Sequence, residues 1–244
     1  MKLTPSKLYN YLQCEHRIWR DIYGPLAEKN PDTNPFVEML WEKGVSHEEN
    51  IVRKLGDVLD IKVVDETGRE KATIYAMEAG VPLIYQGVIR HDNLYGIPDL
   101  LERQPDGTYL PVDIKSGMGV EGIDEEGTDD EKYKKHYAVQ LALYSEVLIN
   151  LGFAKKHIGA IIDINSDRVT YDLDKQIGAK TPQTYWEFYQ EIKIKAGKLL
   201  KNEVKNKPAY SGKCKLCPWY ASCKKWIKEN HDPSMIFYLG RANR

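Results

Sequence analysis

The sequence predicts an α/β fold, a mixed central sheet flanked by helices, with a second small helical lobe formed by both chain ends. Three observations predict it. Strand-like runs and long amphipathic stretches follow one another in the order helix, strands, hairpin, helix, hairpin. A hairpin pattern at residues 96–117, GIPDLLERQPDGTYLPVDIKSG, gathers two aspartates and a lysine. Four cysteines are divided between the two ends, Cys14 near one and Cys214, Cys217 and Cys223 near the other.

Taken in order, Thr4-Pro5 reads as a cap followed by proline at the first helical position, and Leu8, Tyr11, Leu12, Ile18, Trp19 and Ile22 keep helical spacing up to Gly24. A second amphipathic helix is expected from about Phe36 to Leu59, with the stripe Phe36, Leu40, Gly44, His47, Ile51 and Leu55. That stripe turns His47 inward, as a hydrogen-bonded core residue or as a metal ligand, and Gly44 one turn earlier leaves room beside it. A strand at Ile61–Val64, a helix at Arg69–Ala79 ended by Gly80, and a strand at about Pro82–His91 follow. Leu94–Arg103 and Thr108–Lys115 then form the hairpin, with Pro105-Asp106-Gly107 as its turn.

Beyond it, residues 121–131, EGIDEEGTDDE, hold seven acids and no base and read as a mobile loop that gates a site or mimics phosphate. A third helix is expected over Lys132–Leu151, with Tyr137, Gln140, Leu141, Tyr144 and Leu148 on one face. His157–Ile164 and Arg168–Leu173 read as a hairpin closing the sheet, and Thr181-Pro182 as the start of a helix running to about Val204. The SMIFYLGRANR ending after that lobe reads as a partner-docking tail or the start of a further domain.

Side-chain alternation in the hairpin puts Asp113 and Lys115 on one face of a strand whose Leu110, Val112 and Ile114 face the core. Asp99, Asp113 and the Ile114 carbonyl suit a hard, oxygen-preferring cation such as Mg²⁺ or Mn²⁺. Lys115 beside them would orient or deprotonate a water, or stabilise charge on a phosphate. The same residues would also suit a solvated hairpin face with a surface ion pair. Gln140 and Tyr144, one turn apart, point an amide and a phenol the same way, either toward a substrate or as a helix-edge Gln and a core Tyr.

The formal net charge of −1 hides a strong asymmetry, because residues 190–230 carry eleven lysines. Clustered lysines can neutralise phosphates locally, or form a solvated helix face. No apolar run approaches the roughly 20 residues of a membrane span, and the polar start MKLTPSKLYNYL is no secretory signal. A cytoplasmic protein is expected. The C-x2-C-x5-C spacing of Cys214, Cys217 and Cys223 then argues for metal rather than disulfide. Four thiolates suit either tetrahedral zinc or an iron-sulfur cluster, though a lone distant thiolate is less typical of zinc.

An N-terminal Cys, a His on the second helix, P-D at Pro98-Asp99, D-x-K at Asp113-Lys115, Q-x3-Y at Gln140-Tyr144 and the terminal cysteine triplet occur in that order. This series resembles the RecB-like PD-(D/E)XK iron-sulfur nucleases, most of all the CRISPR-associated Cas-four family, and is similar to the AddB nuclease domain. The resemblance implies a restriction-endonuclease-like core at 36–180, an N-terminal helix at 1–35 supplying one cluster cysteine, and a C-terminal helical iron-sulfur lobe and tail at 181–244. It also implies a [4Fe-4S] cluster on Cys14, Cys214, Cys217 and Cys223, and Mn²⁺ or Mg²⁺ at His47, Asp99, Asp113 and the Ile114 carbonyl. Catalysis falls to Lys115, and substrate contacts to Gln140 and Tyr144. The implied activity is metal-dependent DNA cleavage, as a 5′ to 3′ single-strand exonuclease trimming ends in CRISPR adaptation or repair. Implied partners are single-stranded DNA or duplex ends, and CRISPR integrase proteins. The rival expectation is a non-catalytic scaffold that binds DNA ends within a helicase or integration complex.

Overall fold

A computed structural model describes residues 1–30, 34–65, 67–122, 132–178, 181–236 and 239–240. The helices and strands, in chain order, are α1 (Pro5–Gln13), α2 (Glu15–Tyr23), α3 (Pro35–Leu55), β1 (Leu59–Asp60), α4 (Arg69–Glu78), β2 (Leu83–Tyr85), β3 (Ile89–His91) and β4 (Leu94–Gly96). Next come β5 (Leu100–Arg103), β6 (Tyr109–Ile114), β7 (Val120–Glu121), β8 (Lys132–Tyr133), α5 (Lys135–Asn150), β9 (Ile158–Ile162) and β10 (Arg168–Asp172). The rest are β11 (Gln176–Gly178), β12 (Thr181–Thr184), α6 (Tyr185–Leu200) and α7 (Tyr220–Glu229). Most of the acidic stretch, residues 123–131, lies outside the described residues, as do 237–238 and 241–244 of the tail. Among the described residues no helix is long and apolar enough to cross a membrane.

The chain divides into two compact units. The larger contains Lys2–Ser6 and Lys43–Glu191. Its mixed sheet has the order β1-β2-β5-β6-β9-β10, with β1/β2 and β6/β9 parallel and the other pairs antiparallel. The hairpin of β9 and β10 closes one side, as its alternation predicts. On one face Leu100, Val112, Ile114, Ala160 and Ile162 pack with Tyr85 and with Ile51 of α3. Helix α5 touches β6 and β9 on one side and β3 and β4 on another. That double cover buries Ala138, Val139, Leu141, Ala142, Leu143 and Val147 nearly all round, not along the single predicted stripe.

Several predicted elements are interrupted, each for a local reason. The run Leu94–Arg103 is two strands, because Pro98 has no N–H to give a ladder. The run Pro82–His91 also breaks, at Gln86, whose φ of +53° turns the chain, and at Gly87, where a Cβ would lie 2.8 Å from Leu101. Ile61–Val63 is a 3₁₀ turn instead of a strand, and Lys132–Tyr133 pairs as β8 instead of starting a helix. Thr181-Pro182 belongs to a short strand, and α6 starts at Tyr185. Thr184 caps it: its Oγ1 accepts the Glu187 N–H at 3.1 Å, while Glu187 Oε2 accepts the Thr184 N–H at 2.8 Å.

The smaller unit comprises Met1, Lys7–Glu42 and Ile192–Arg244, residues from both ends. The predicted first helix is broken at Cys14, which stands extended before α2 with φ −167° and ψ 110°. Tyr23 donates to the Leu200 carbonyl at 2.7 Å, Trp19 to Asn202 at 2.8 Å, and the buried Trp219 to Asp21 Oδ1 at 2.9 Å. Arg20 lies 4.4 Å above the Trp219 ring. At Gly24 a Cβ would meet that ring at 2.9 Å, so the chain can pass there only without a side chain.

Candidate active site

Strand β6 is paired on both sides, so its last residues are fixed by backbone hydrogen bonds. Asp113 near its end is 1% exposed. Just past the end, the Lys115 N–H donates to the Ile162 carbonyl at 2.8 Å. Asp99 is not on a strand, as the alternation predicts, but one residue before β5, in the irregular step that Pro98 imposes. The register pairing Leu100 with Val112 still sets it beside Asp113. Its N–H lies 3.5 Å from Asp113 Oδ1, and its own Oδ2 accepts the Ile114 N–H at 2.7 Å.

These groups disturb one another. Burial, and then the charge of Asp113, push the Asp99 carboxyl up to about 7, with Lys115 opposing and Glu48 adding to the rise. Burial works against the Lys115 ammonium, but the charges of Asp113 and Asp99 outweigh it and hold its pKa above the ordinary lysine value. Lys115 Nζ is 2.7 Å from Asp113 Oδ2. This buried oxygen is thus balanced in charge by the ammonium. Two adjoining carboxylates, one of them fully buried near the end of β6, fit a divalent cation.

Tyr144 is buried on α5, where burial and then the charges of Asp113 and Asp99 hold its phenol well above the usual range. It therefore stays protonated and donates to the Ile97 carbonyl at 3.2 Å. Its ring fits because position 96 is glycine: a Cβ there would lie 2.6 Å from two ring carbons. Gln140, one turn earlier, is half-buried. Tyr137 of the same helix has its ring centroid 5.9 Å from Lys115 Nζ.

His47 is half-buried, and its Nε2 lies 2.9 Å from the Asp163 carbonyl oxygen. The predicted inward stripe of α3 is covered only in part, with Ile51 buried but Phe36, Leu40 and Leu55 exposed. Among the described residues no three His, Cys, Asp or Glu side chains are placed to hold one ion. The fold thus brings Asp99, Asp113 and Lys115 together but does not bring His47 to them as a third ligand. Two contributors escaped the sequence reading. Glu48 follows His47 on α3, and Gln86 ends the β2 run; their amide-to-carboxylate hydrogen bond is 2.7 Å. The only sequence sign of Gln86 was the break that Gly87 makes in an apolar run.

In the smaller unit, Cys14, Cys214, Cys217 and Cys223 line a small cavity of about 30 Å³ together with Arg17 and Arg20. No disulfide joins them. Burial pushes the Cys223 thiol up to about 11 and raises that of Cys217, and the neighbouring cysteines add to both. The buried Nε atoms of Arg17 and Arg20 have no hydrogen-bond partner. Four thiols line one cavity beside Arg17 and Arg20, which pair with Asp21 and Glu28, and among the described residues the thiols are not grouped to hold an ion.

A family model described as the PD-(D/E)XK nuclease superfamily matches residues 14–224. Among solved structures, one titled "Crystal structure of SSO0001" is similar with a TM-score of 0.39 and 14% identity, over 92% of this chain and 86% of that one. A score that low carries no argument. No curated protein matches the chain.

Proposed function

Because the chain belongs to the PD-(D/E)XK nuclease superfamily, we propose that it is a metal-dependent DNA nuclease with Asp99, Asp113 and Lys115 at its centre. The observation that carries this reading is the adjoining Asp99 and Asp113 carboxylates, with the Asp99 N–H 3.5 Å from Asp113 Oδ1 and Lys115 Nζ 2.7 Å from Asp113 Oδ2. Asp99, Asp113 and the Ile114 carbonyl would hold Mg²⁺ or Mn²⁺, with His47 completing the set if its ring leaves the Asp163 carbonyl. A bound cation supplies Lewis acidity toward the phosphate and a more acidic water. Lys115, kept charged by its carboxylate neighbours, donates hydrogen bonds to the attacking water and to phosphate oxygens as charge builds on them. Gln140, half-buried on α5, contacts the substrate, while Tyr144, expected to do the same, is buried with its phenol on the Ile97 carbonyl and serves as core.

The finer reading is a single-stranded DNA exonuclease of 5′ to 3′ polarity, acting in the cytoplasm in CRISPR adaptation or repair, beside integrase proteins. Residues 36–180 form its nuclease core, and 1–35 and 181–244 its cluster lobe. Cys14, Cys214, Cys217 and Cys223 would carry a [4Fe-4S] cluster, a reading supported by the four thiols lining one cavity.

Digestion of end-labelled single-stranded and duplex oligonucleotides with Mn²⁺ or Mg²⁺ tests the reading. Wild-type protein should cut, and Asp113→Ala and Lys115→Ala should lose at least about 100-fold, the scale of removing a transition-state donor. Binding without cutting by the wild type would instead favour a DNA-end scaffold.

A further inference from the structure

The hydrogen bonds behind Asp99 form a continuous chain. Lys62 Nζ donates to Tyr85 Oη at 2.7 Å, and Tyr85 O–H donates to Glu48 Oε1 at 2.7 Å. Gln86 Nε2 donates to that same Glu48 oxygen at 2.7 Å and to Asp99 Oδ1 at 3.0 Å. Both amide hydrogens are therefore committed, one to each carboxyl group, and the reversed amide would set its oxygen against the Glu48 oxygen that already accepts from Tyr85. The backbone closes a second link, the Gln86 N–H donating to the Asp99 carbonyl at 2.9 Å.

Gln86 makes these contacts from a left-handed conformation, φ +53°, that side chains other than Asn and Asp seldom adopt. Such backbone persists where its surroundings over-determine it. Here the surroundings are the tight Gly87 turn and the two carboxylates. With the Ile114 N–H on Oδ2, both Asp99 oxygens are oriented, each keeping a lone pair for a cation.

We propose that Gln86 is a positioning residue that locks the Asp99 carboxylate in its cation-binding orientation, with Glu48 as the anchor for its amide rather than as a ligand. This rests on the reading of Asp99 as a metal ligand. A partner one step behind a ligating group typically contributes 10- to 100-fold in metal affinity, because the ligand otherwise spends entropy to reach its bound orientation.

Mn²⁺ titration calorimetry on full-length protein without DNA tests it, with melting curves to show that each variant folds. Gln86→Gly removes the amide at no backbone cost, and Gln86→Asn keeps the left-handed turn but falls a methylene short. Both should bind Mn²⁺ about 10- to 100-fold more weakly. Glu48→Gln retains an acceptor oxygen for the amide and should stay within about threefold of wild type. Folded Gln86 variants that bind like wild type would overturn the proposal. So would a Glu48→Gln loss as large as that of Asp99→Asn, which would make Glu48 a ligand. Unchanged binding in Asp99→Asn would sink the metal site itself, a failure visible apart from the other two.

Discussion

Asp99 carries a large electrostatic load in the candidate site. Its folded pKa, about 7, is above the ordinary carboxylate value, so the native state holds this proton more tightly than the unfolded chain does. The stability it contributes is present below about pH 4 and is lost as pH rises through about 7. Chelator-treated protein should therefore melt at a lower temperature at pH 8 than at pH 5, and Asp99→Asn should flatten that slope. Equal slopes in the two proteins would show that another group governs it. Gly96 is a second single-residue test. The Cβ of Gly96→Ala would lie 2.6 Å from the Tyr144 ring, itself packed in the core, so about 1–3 kcal/mol should be lost in denaturant unfolding.

Among the elements, the turn from β9 to β10 links three parts of the site. Asp163 is buried, and its Oδ1 accepts the N–H groups of Asn165 and Asp167 at 2.9 and 3.1 Å. Its Oδ2 accepts the Gly119 N–H at 3.1 Å, and its carbonyl faces His47. Asp163→Ala leaves those donors unmet, at about 1–3 kcal/mol for a buried one. Amide exchange should quicken at 117–120 and 164–168 while α5 stays protected. Uniform exchange across the unit would mean that the turn is only one more piece of core. Elements were legible where nothing local cut the pattern: α4, stopped by Gly80, the β9–β10 hairpin and the D-x-K strand all fall within a residue or two of expectation. They were misread where a local group cut the pattern, as at Cys14, Gln86 and Pro98, or where a capping box competed with a proline, as at Thr184 and Thr181.

At the scale of the whole chain, the smaller unit is built from segments far apart in sequence. Bringing such segments together costs loop-closure entropy, which a group bound by thiolates from both would offset. On the proposed cluster, purified protein should be brown, and Cys214→Ala should lose the visible absorption. In that variant, amide exchange should quicken within Lys7–Glu42 and Ile192–Arg244 and remain slow in the sheet of the larger unit. Colourless wild-type protein with stoichiometric zinc would refute the cluster while leaving the clasp.

Local pattern by itself determined that the chain is α/β, that Asp113 and Lys115 flank a strand end, and that three of the four cysteines share a metal-like spacing. Alternation and spacing are short-range properties, so they survive any packing. Only the tertiary structure decided that Asp99 approaches Asp113 from outside its strand, that His47 turns to a carbonyl, and that Gln86 and Glu48 stand behind the carboxylate pair. Those outcomes depend on register and on contacts between residues tens of positions apart, where burial and neighbouring charge, rather than periodicity, set the energy.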